Sequence, residues 1–185
     1  RYLTDAMADG LQLIVIDPRR TETARRASLH LQVEPGNDVA LLAAMLHVIF
    51  ADALYDADFV DEHMTGVDAL RDAVTPFSPT RVAAAAGIEA EALVTAARTF
   101  AQANKGVATA GTGPNMSGQT TLLEYLVLCL NSVCGRWQRA GEVVRNPPCL
   151  GENRQAIAQA MPPTRKWAYG FGETMHARNI RCSAA

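Results

Sequence analysis

Near its start the chain carries an apolar run, Leu11-Gln12-Leu13-Ile14-Val15-Ile16, set between Gly10 and Pro18. Its length and β-branched content predict a strand buried on both faces, the pattern of a parallel sheet. Leu29-His30-Leu31-Gln32-Val33 alternates apolar and polar, which predicts a second strand with one wet face. Between them, Thr21 to Ala27 predicts a short helix with Thr21 as its N-cap. A helix over 1–9, closed by Gly10, precedes the first strand.

Pro35-Gly36-Asn37 is a turn. After it Val39, Leu42, Ala43, Leu46 and Ile49 recur at helical spacing and predict an amphipathic helix from Asp38 to about Leu54. Shorter helices over 56–64, 66–74 and 79–86 follow, the last opened by Ser78-Pro79 and closed by Gly87. A long amphipathic helix is expected over 89–103. Gly106 to Ala110 predicts a short strand feeding Gly111-Thr112-Gly113-Pro114, and Gln119 to Cys134 predicts a buried apolar helix ended by Gly135. Strands alternating with helices predict an α/β fold: an open, mostly parallel sheet with helices on both faces. From Asn146 onward Pro147-Pro148, Pro162-Pro163 and Gly170-Phe171-Gly172 break the periodicity. The expected organisation is one domain over 1–145 and an extended arm over 146–185 that reaches toward domains outside this chain.

Composition narrows the classes of partner. Of 185 residues, 49% are hydrophobic and 19% charged, enough for a packed core rather than a disordered chain. The net charge of −2 supplies no global field for a phosphate backbone, so nucleic acid is not an expected partner. The apolar runs Leu41–Phe50 and Leu122–Val133 are shorter than the roughly 20 residues that span a bilayer, so no membrane segment is expected. Cys129, Cys134, Cys149 and Cys182 form neither a CxxC pair nor a zinc-ligand spacing, and are expected as buried or free thiols in a reducing compartment, hence cytoplasmic. No initiator Met is present and Arg1 to Met7 reads as mid-helix, so the chain is expected to be a segment of a longer one in which an N-terminal leader would not be visible.

In open parallel sheets ligands bind outside the carboxyl ends of the strands. Asp17-Pro18-Arg19-Arg20-Thr21 follows the first strand directly. There Asp17 suits ribose hydroxyls and Arg19 and Arg20 suit phosphate oxygens. The plain alternative is that Asp17 caps a turn and the arginines are a solvated face. Pro35-Gly36-Asn37-Asp38 follows the second strand. A carboxylate at Asp38 is stabilised by the helix dipole and could accept from a guanine N1–H and N2–H₂, or it could be a simple N-cap. Gly111 and Gly113 permit close backbone approach to a ligand, or simply make a turn. His30, His47, His63 and His176 fit no Cys–His or Ser–His–Asp arrangement and read as structural or exposed.

Taken in order, Leu-Ile-Val-Ile-Asp-Pro-Arg-Arg-Thr-Glu-Thr-Ala (13–24), Pro-Gly-Asn-Asp-Val-Ala-Leu-Leu (35–42) and Gly-Thr-Gly (111–113) resemble the molybdopterin oxidoreductases, over about residues 1–145. The resemblance implies a Rossmann-like domain that binds one arm of a molybdenum or tungsten bis(molybdopterin guanine dinucleotide) cofactor, as in formate dehydrogenases and nitrate reductases. It implies guanosine and phosphate contacts at Asp17, Pro18, Arg19, Arg20, Thr21, Gly36, Asn37 and Asp38, and an approach to the pterin end at Gly111 and Gly113. No catalytic residue and no metal ligand is implied here. The metal ligand and an iron–sulfur cluster would lie in N-terminal sequence outside this chain, which alone is expected to be inactive and without cofactor. The expected partners are the other domains of the same chain, a small redox substrate and an electron-transfer partner. Asn37 stands where the family usually has Thr, and Ser28 where it has Asp. Pro114-Asn115-Met116 replaces a common Gln, and Gly135-Arg136-Trp137-Gln138-Arg139-Ala140-Gly141 replaces a Gly-Arg-Pro-Gly-Gly ending. Two other classes compete. A nicotinamide-type Rossmann enzyme would need a GxGxxG loop, which the chain does not show; a non-catalytic scaffold domain would show no guanine preference.

Overall fold

The computed structural model describes residues 2–139 and 141–142, and the account below concerns the unit Arg1–Ala140. The arm expected over 146–185, with Cys149, His176 and Cys182, lies outside the described residues. Helices dominate. In chain order they are α1 (Tyr2–Ala8), α2 (Glu22–Arg26), α3 (Asp38–Ala51), α4 (Ala57–His63), α5 (Val67–Val74), α6 (Pro79–Ala86), α7 (Ala90–Gln102), α8 (Thr112–Asn115) and α9 (Thr120–Val133), with strands β1 (Ile14–Ile16) and β2 (Leu29–Leu31).

β1 and β2 pair in parallel, Ile14 opposite Leu29 and Ile16 opposite Leu31. Parallel neighbours need a crossover of about a dozen residues, and the stretch from Asp17 through α2 to Ser28 supplies it. Thr21 caps α2 as expected, its Oγ1 accepting from Ala24 N at 3.2 Å. The open multi-stranded sheet is not what forms: among the described residues the sheet has two strands, in a mostly helical unit. Two departures explain this. The first strand is shorter than Leu11–Ile16, because Leu13 N is taken by the Ser28 hydroxyl at 3.2 Å and Leu11 is exposed. The segment 106–110 pairs with no strand, and at Ala108 a side chain takes the backbone N–H and C=O. With no further strand beside it, β1 is half-buried rather than enclosed on both faces.

The core is built around α3. α7, α9, α6 and α5 all pack on it, so Leu41 to Leu46 and Val48 to Phe50 are buried round the whole circumference. The expected one-sided stripe is therefore too narrow; a helix ringed by four others has no wet face. Each buried Leu or Ile there contributes roughly 1.5–3 kcal/mol relative to exposure. α9 departs the other way. Leu123, Leu126, Val127, Leu130 and Val133 enter the core, but Leu122, Tyr125 and Leu128 face out on the opposite side.

Helix ends follow the glycines. Gly10, Gly87 and Gly135 adopt φ of +100°, +69° and +61°, closing α1, α6 and α9. α3 ends the same way without glycine. Ala53 takes φ +52° while its N–H bonds Phe50 O at 3.2 Å and Leu54 N–H bonds Ile49 O at 2.9 Å.

Candidate functional site

The end of β1, the start of α3 and the loop after residue 110 converge. A cleft of about 90 Å³ is lined by Ile16, Asp38, Leu42, Ala110, Gly111 and Leu123, among others. Of the residues singled out from sequence, it brings together Asp38 and Gly111. Asp17, Pro18, Arg19, Arg20, Thr21, Gly36, Asn37 and Gly113 lie outside its lining, although Asp17 directly follows Ile16.

Asp38 owes its place to the turn before it. Pro35 and Gly36 fill the central positions of a turn closed by Asn37 N to Glu34 O at 3.4 Å, and Gly36 has φ +94°, which only glycine adopts freely. α3 then starts with Asn37 as N-cap, but Asn37 makes no capping bond, because its Nδ2 donates to Glu34 O at 3.0 Å. Asp38 is thus the first helical residue and not the cap. Its carboxylate makes no hydrogen bond within the described residues, and it stands at the positive end of a 14-residue helix facing the cleft.

The Asp17–Thr21 turn is tied to β2 by side chains. Asp17 Oδ1 accepts from Arg19 N at 2.7 Å, so one carboxylate oxygen does cap the turn. His30 Nε2 lies 2.9 Å from Asp17 O, and a carbonyl can only accept, so this nitrogen carries the proton. Gln32 Nε2 donates to Pro18 O at 3.1 Å. His30 and Gln32 share one face of β2 and extend its pairing past Ile16. Arg19 and Arg20 are exposed and form no ion pair within the described residues. His47 Nδ1 meets Val74 O at 3.3 Å, a structural role, and His63 is exposed.

Gly111 is extended and Gly113 lies in α8, so neither needs a glycine backbone; a Cβ at either would meet nothing within 4 Å. The open space on that side lies outside this chain's own packing. Leu123 and Val127 from α9 complete the cleft, and sequence reasoning had assigned both simply to a buried helix. The signal for their neighbour Asn131 was present: it is the lone amide in an apolar run.

Cys129 and Cys134 are buried free thiols, as expected. Burial pushes Cys134 up to about 11 from 9.0, against the lowering pull of the Arg136 guanidinium. Neither is poised as a nucleophile. Among the described residues no group of three His, Cys, Asp or Glu could hold a metal ion, and no helix is long and apolar enough to cross a membrane.

Comparison with known proteins converges on one family. The sequence model for molybdopterin oxidoreductases matches residues 1–166. Formate dehydrogenase H of Escherichia coli is 38% identical over 112 residues, covering 60% of this chain and 16% of that enzyme. A nitrate reductase of Synechocystis is 31% identical over 131 residues, 71% of this chain and 18% of its own. The solved acetylene hydratase of Pelobacter acetylenicus superposes with a TM-score of 0.72 at 29% identity, covering 77% of this chain and 20% of that one. The chain spans about a fifth of the length of the curated relatives it matches most extensively. A match over nine-tenths of its length establishes that the chain belongs to the molybdopterin oxidoreductase family.

Proposed function

We propose that this chain is the part of a molybdopterin-dependent oxidoreductase, of the formate dehydrogenase and nitrate reductase kind, that holds the guanosine and phosphates of a molybdopterin guanine dinucleotide. The observation that carries this is the Asp38 carboxylate, uncommitted to its own helix and facing a cleft with apolar walls. That pairing suits guanine. The apolar walls accept a flat ring, and a carboxylate accepts from N1–H and N2–H₂ together.

The donor set fits the rest of the group. Arg19 and Arg20 offer unpaired guanidiniums for phosphate oxygens, and the second Asp17 oxygen remains for ribose hydroxyls. Thr21 holds α2 at the turn, Pro18 anchors that turn through its carbonyl, and Gly36 and Asn37 deliver Asp38 to the cleft. Gly111 and Gly113 border open space, on the side that the family resemblance assigns to the pterin. In this reading β1, α2 and β2 are the visible unit of a Rossmann-like frame. When bound, the molybdenum or tungsten of the cofactor supplies two-electron or oxygen-atom chemistry; this chain's residues bind and orient. The second pterin arm, the iron–sulfur cluster, the metal ligand, the substrate pocket and the electron partner belong to other parts of a longer polypeptide. The isolated chain is accordingly inactive and metal-free, and stoichiometric molybdenum on it would contradict this.

Titration of GDP and ADP into the full-length apoprotein tests the reading. GDP is expected to bind more tightly than ADP, and Asp38→Ala to weaken GDP about 5- to 150-fold by leaving the guanine donors unpaired, a cost of about 1–3 kcal/mol. Equal binding of the two nucleotides, or full molybdenum content in the purified Asp38→Ala holoenzyme, overturns it. A scaffold domain would give both results.

A further inference from the structure

Among the described residues Asn131 is the one buried polar side chain, 7% exposed and surrounded by α9's core-facing leucines and valines. Its carboxamide is fully used. Oδ1 accepts from Ala108 N at 2.8 Å, while Nδ2 donates to Ala108 O at 2.9 Å and to Val127 O at 2.9 Å. The orientation is unambiguous, since the flipped amide would set its oxygen against two carbonyls. The pair of bonds to Ala108 is the pair that a residue of a neighbouring strand would make. The neighbouring amides of Val107 and Thr109 form no hydrogen bond within the described residues. Two and three residues on, Ala110 and Gly111 line the cleft, as does Val127, whose carbonyl accepts the third bond.

We propose that Asn131 is a positioning residue that acts as a one-residue substitute strand, clamping Ala108 to α9 so that Ala110 and Gly111 are held as the wall of the Asp38 cleft. Bonds to the N–H and the C=O of one residue hold the two peptide planes that flank Ala108, and the third bond fixes the clamp itself to the helix. That this wall serves a guanine nucleotide rests on the function proposed above; the clamping does not.

The test is residue-resolved hydrogen exchange on the full-length chain. In the wild type the Ala108 amide is expected to exchange about tenfold more slowly than those of Val107 and Thr109. Asn131→Leu, similar in volume but without the bonds, is expected to raise exchange at the Ala108 amide about tenfold while α3 keeps its protection, and to raise the Kd for GDP. Leu130→Ala opens a cavity on the same helix and controls for mere destabilisation; it is expected to speed exchange generally without singling out Ala108. The clamp is overturned if Ala108 exchanges as fast as its neighbours, or if Asn131→Leu leaves Ala108 unchanged or follows the Leu130→Ala pattern. Should Asn131→Leu not fold, the wild-type comparison still decides. A wild type that ignores GDP but shows the Ala108 pattern overturns the cofactor reading and leaves the clamp standing. An unchanged Kd for GDP despite faster exchange at Ala108 overturns the clamp's service to the nucleotide.

Discussion

Ala53 holds the left-handed conformation that closes α3, and alanine tolerates it poorly. Ala53→Gly removes a steric cost of roughly 1–2 kcal/mol and gives part of it back as unfolded-state entropy, so a net stabilisation of about 0.5–1 kcal/mol is expected, read as a higher urea midpoint. Gly135 shows the opposite case. It is left-handed at +61°, and an added Cβ would collide with the Asp56 carboxylate. That carboxylate also accepts from Phe59 N at 3.0 Å and pairs with Arg139 at 2.9 Å, so it has little freedom to retreat. Gly135→Ala is expected to cost at least about 2 kcal/mol in the same measurement. Glycine closures were legible in the sequence because glycine marks positive φ; Ala53 was not, because its conformation is imposed by the two bonds that end α3. The same limit applies to Asp38. Sequence placed it at a helix start, but only the diversion of Asn37 to Glu34 O shows its carboxylate to be spare.

Element by element, periodicity found every long helix to within a few residues and failed on how each is surrounded. α3 shows an apolar stripe in the sequence because two turns of any apolar-rich helix do; that it is enclosed all round follows from α5, α6, α7 and α9 arriving from distant sequence. α9 reads as buried because its leucines outnumber its polar residues, yet Tyr125 is 55% exposed beside Leu122 and Leu128. The strand expected over Gly106 to Ala110 does not form among the described residues, because strand pairing is a property of the neighbour, and the neighbour of Ala108 is the Asn131 side chain. Arg136 plays a related part just past the same end of α9. Its guanidinium donates to Phe100 O at 2.6 Å and Ala101 O at 3.0 Å and lies over the Phe100 ring, finishing α7 with a side chain. Arg136→Leu is expected to fray the last turn of α7, seen as faster amide exchange at 100–103 with α3 unaffected, and to cost roughly 1–3 kcal/mol.

For the molecule as a whole, Cys134 ties stability to pH. Its thiol titrates near 9.0 when unfolded and at about 11 when folded, so between those values the unfolded chain has released a proton that the folded chain keeps. Fewer protons on the unfolded state mean that stability falls as pH rises through that window. The loss attributable to this thiol at pH 10 is about 1.4 kcal/mol, and Cys134→Val should make the fall in unfolding free energy between pH 8 and pH 10 shallower by that amount. The family was legible from strings at the two strand ends and the glycine loop. Substrate and reaction were not, since relatives of this same segment are named as formate dehydrogenase, nitrate reductase and acetylene hydratase, the last for addition of water rather than electron transfer. The cleft at Asp38 is built from unlike supports. Its sides hang from β1, from α3 and, through a carboxamide, from α9, so its width is set by how two helices pack and not by a sheet's fixed 4.8 Å spacing. It is built as a calliper: a methyl group gained or lost where α3 meets α9 is expected to change the gap at Asp38, so on the function proposed above the grip on the nucleotide could be retuned from the core without altering any residue that touches it.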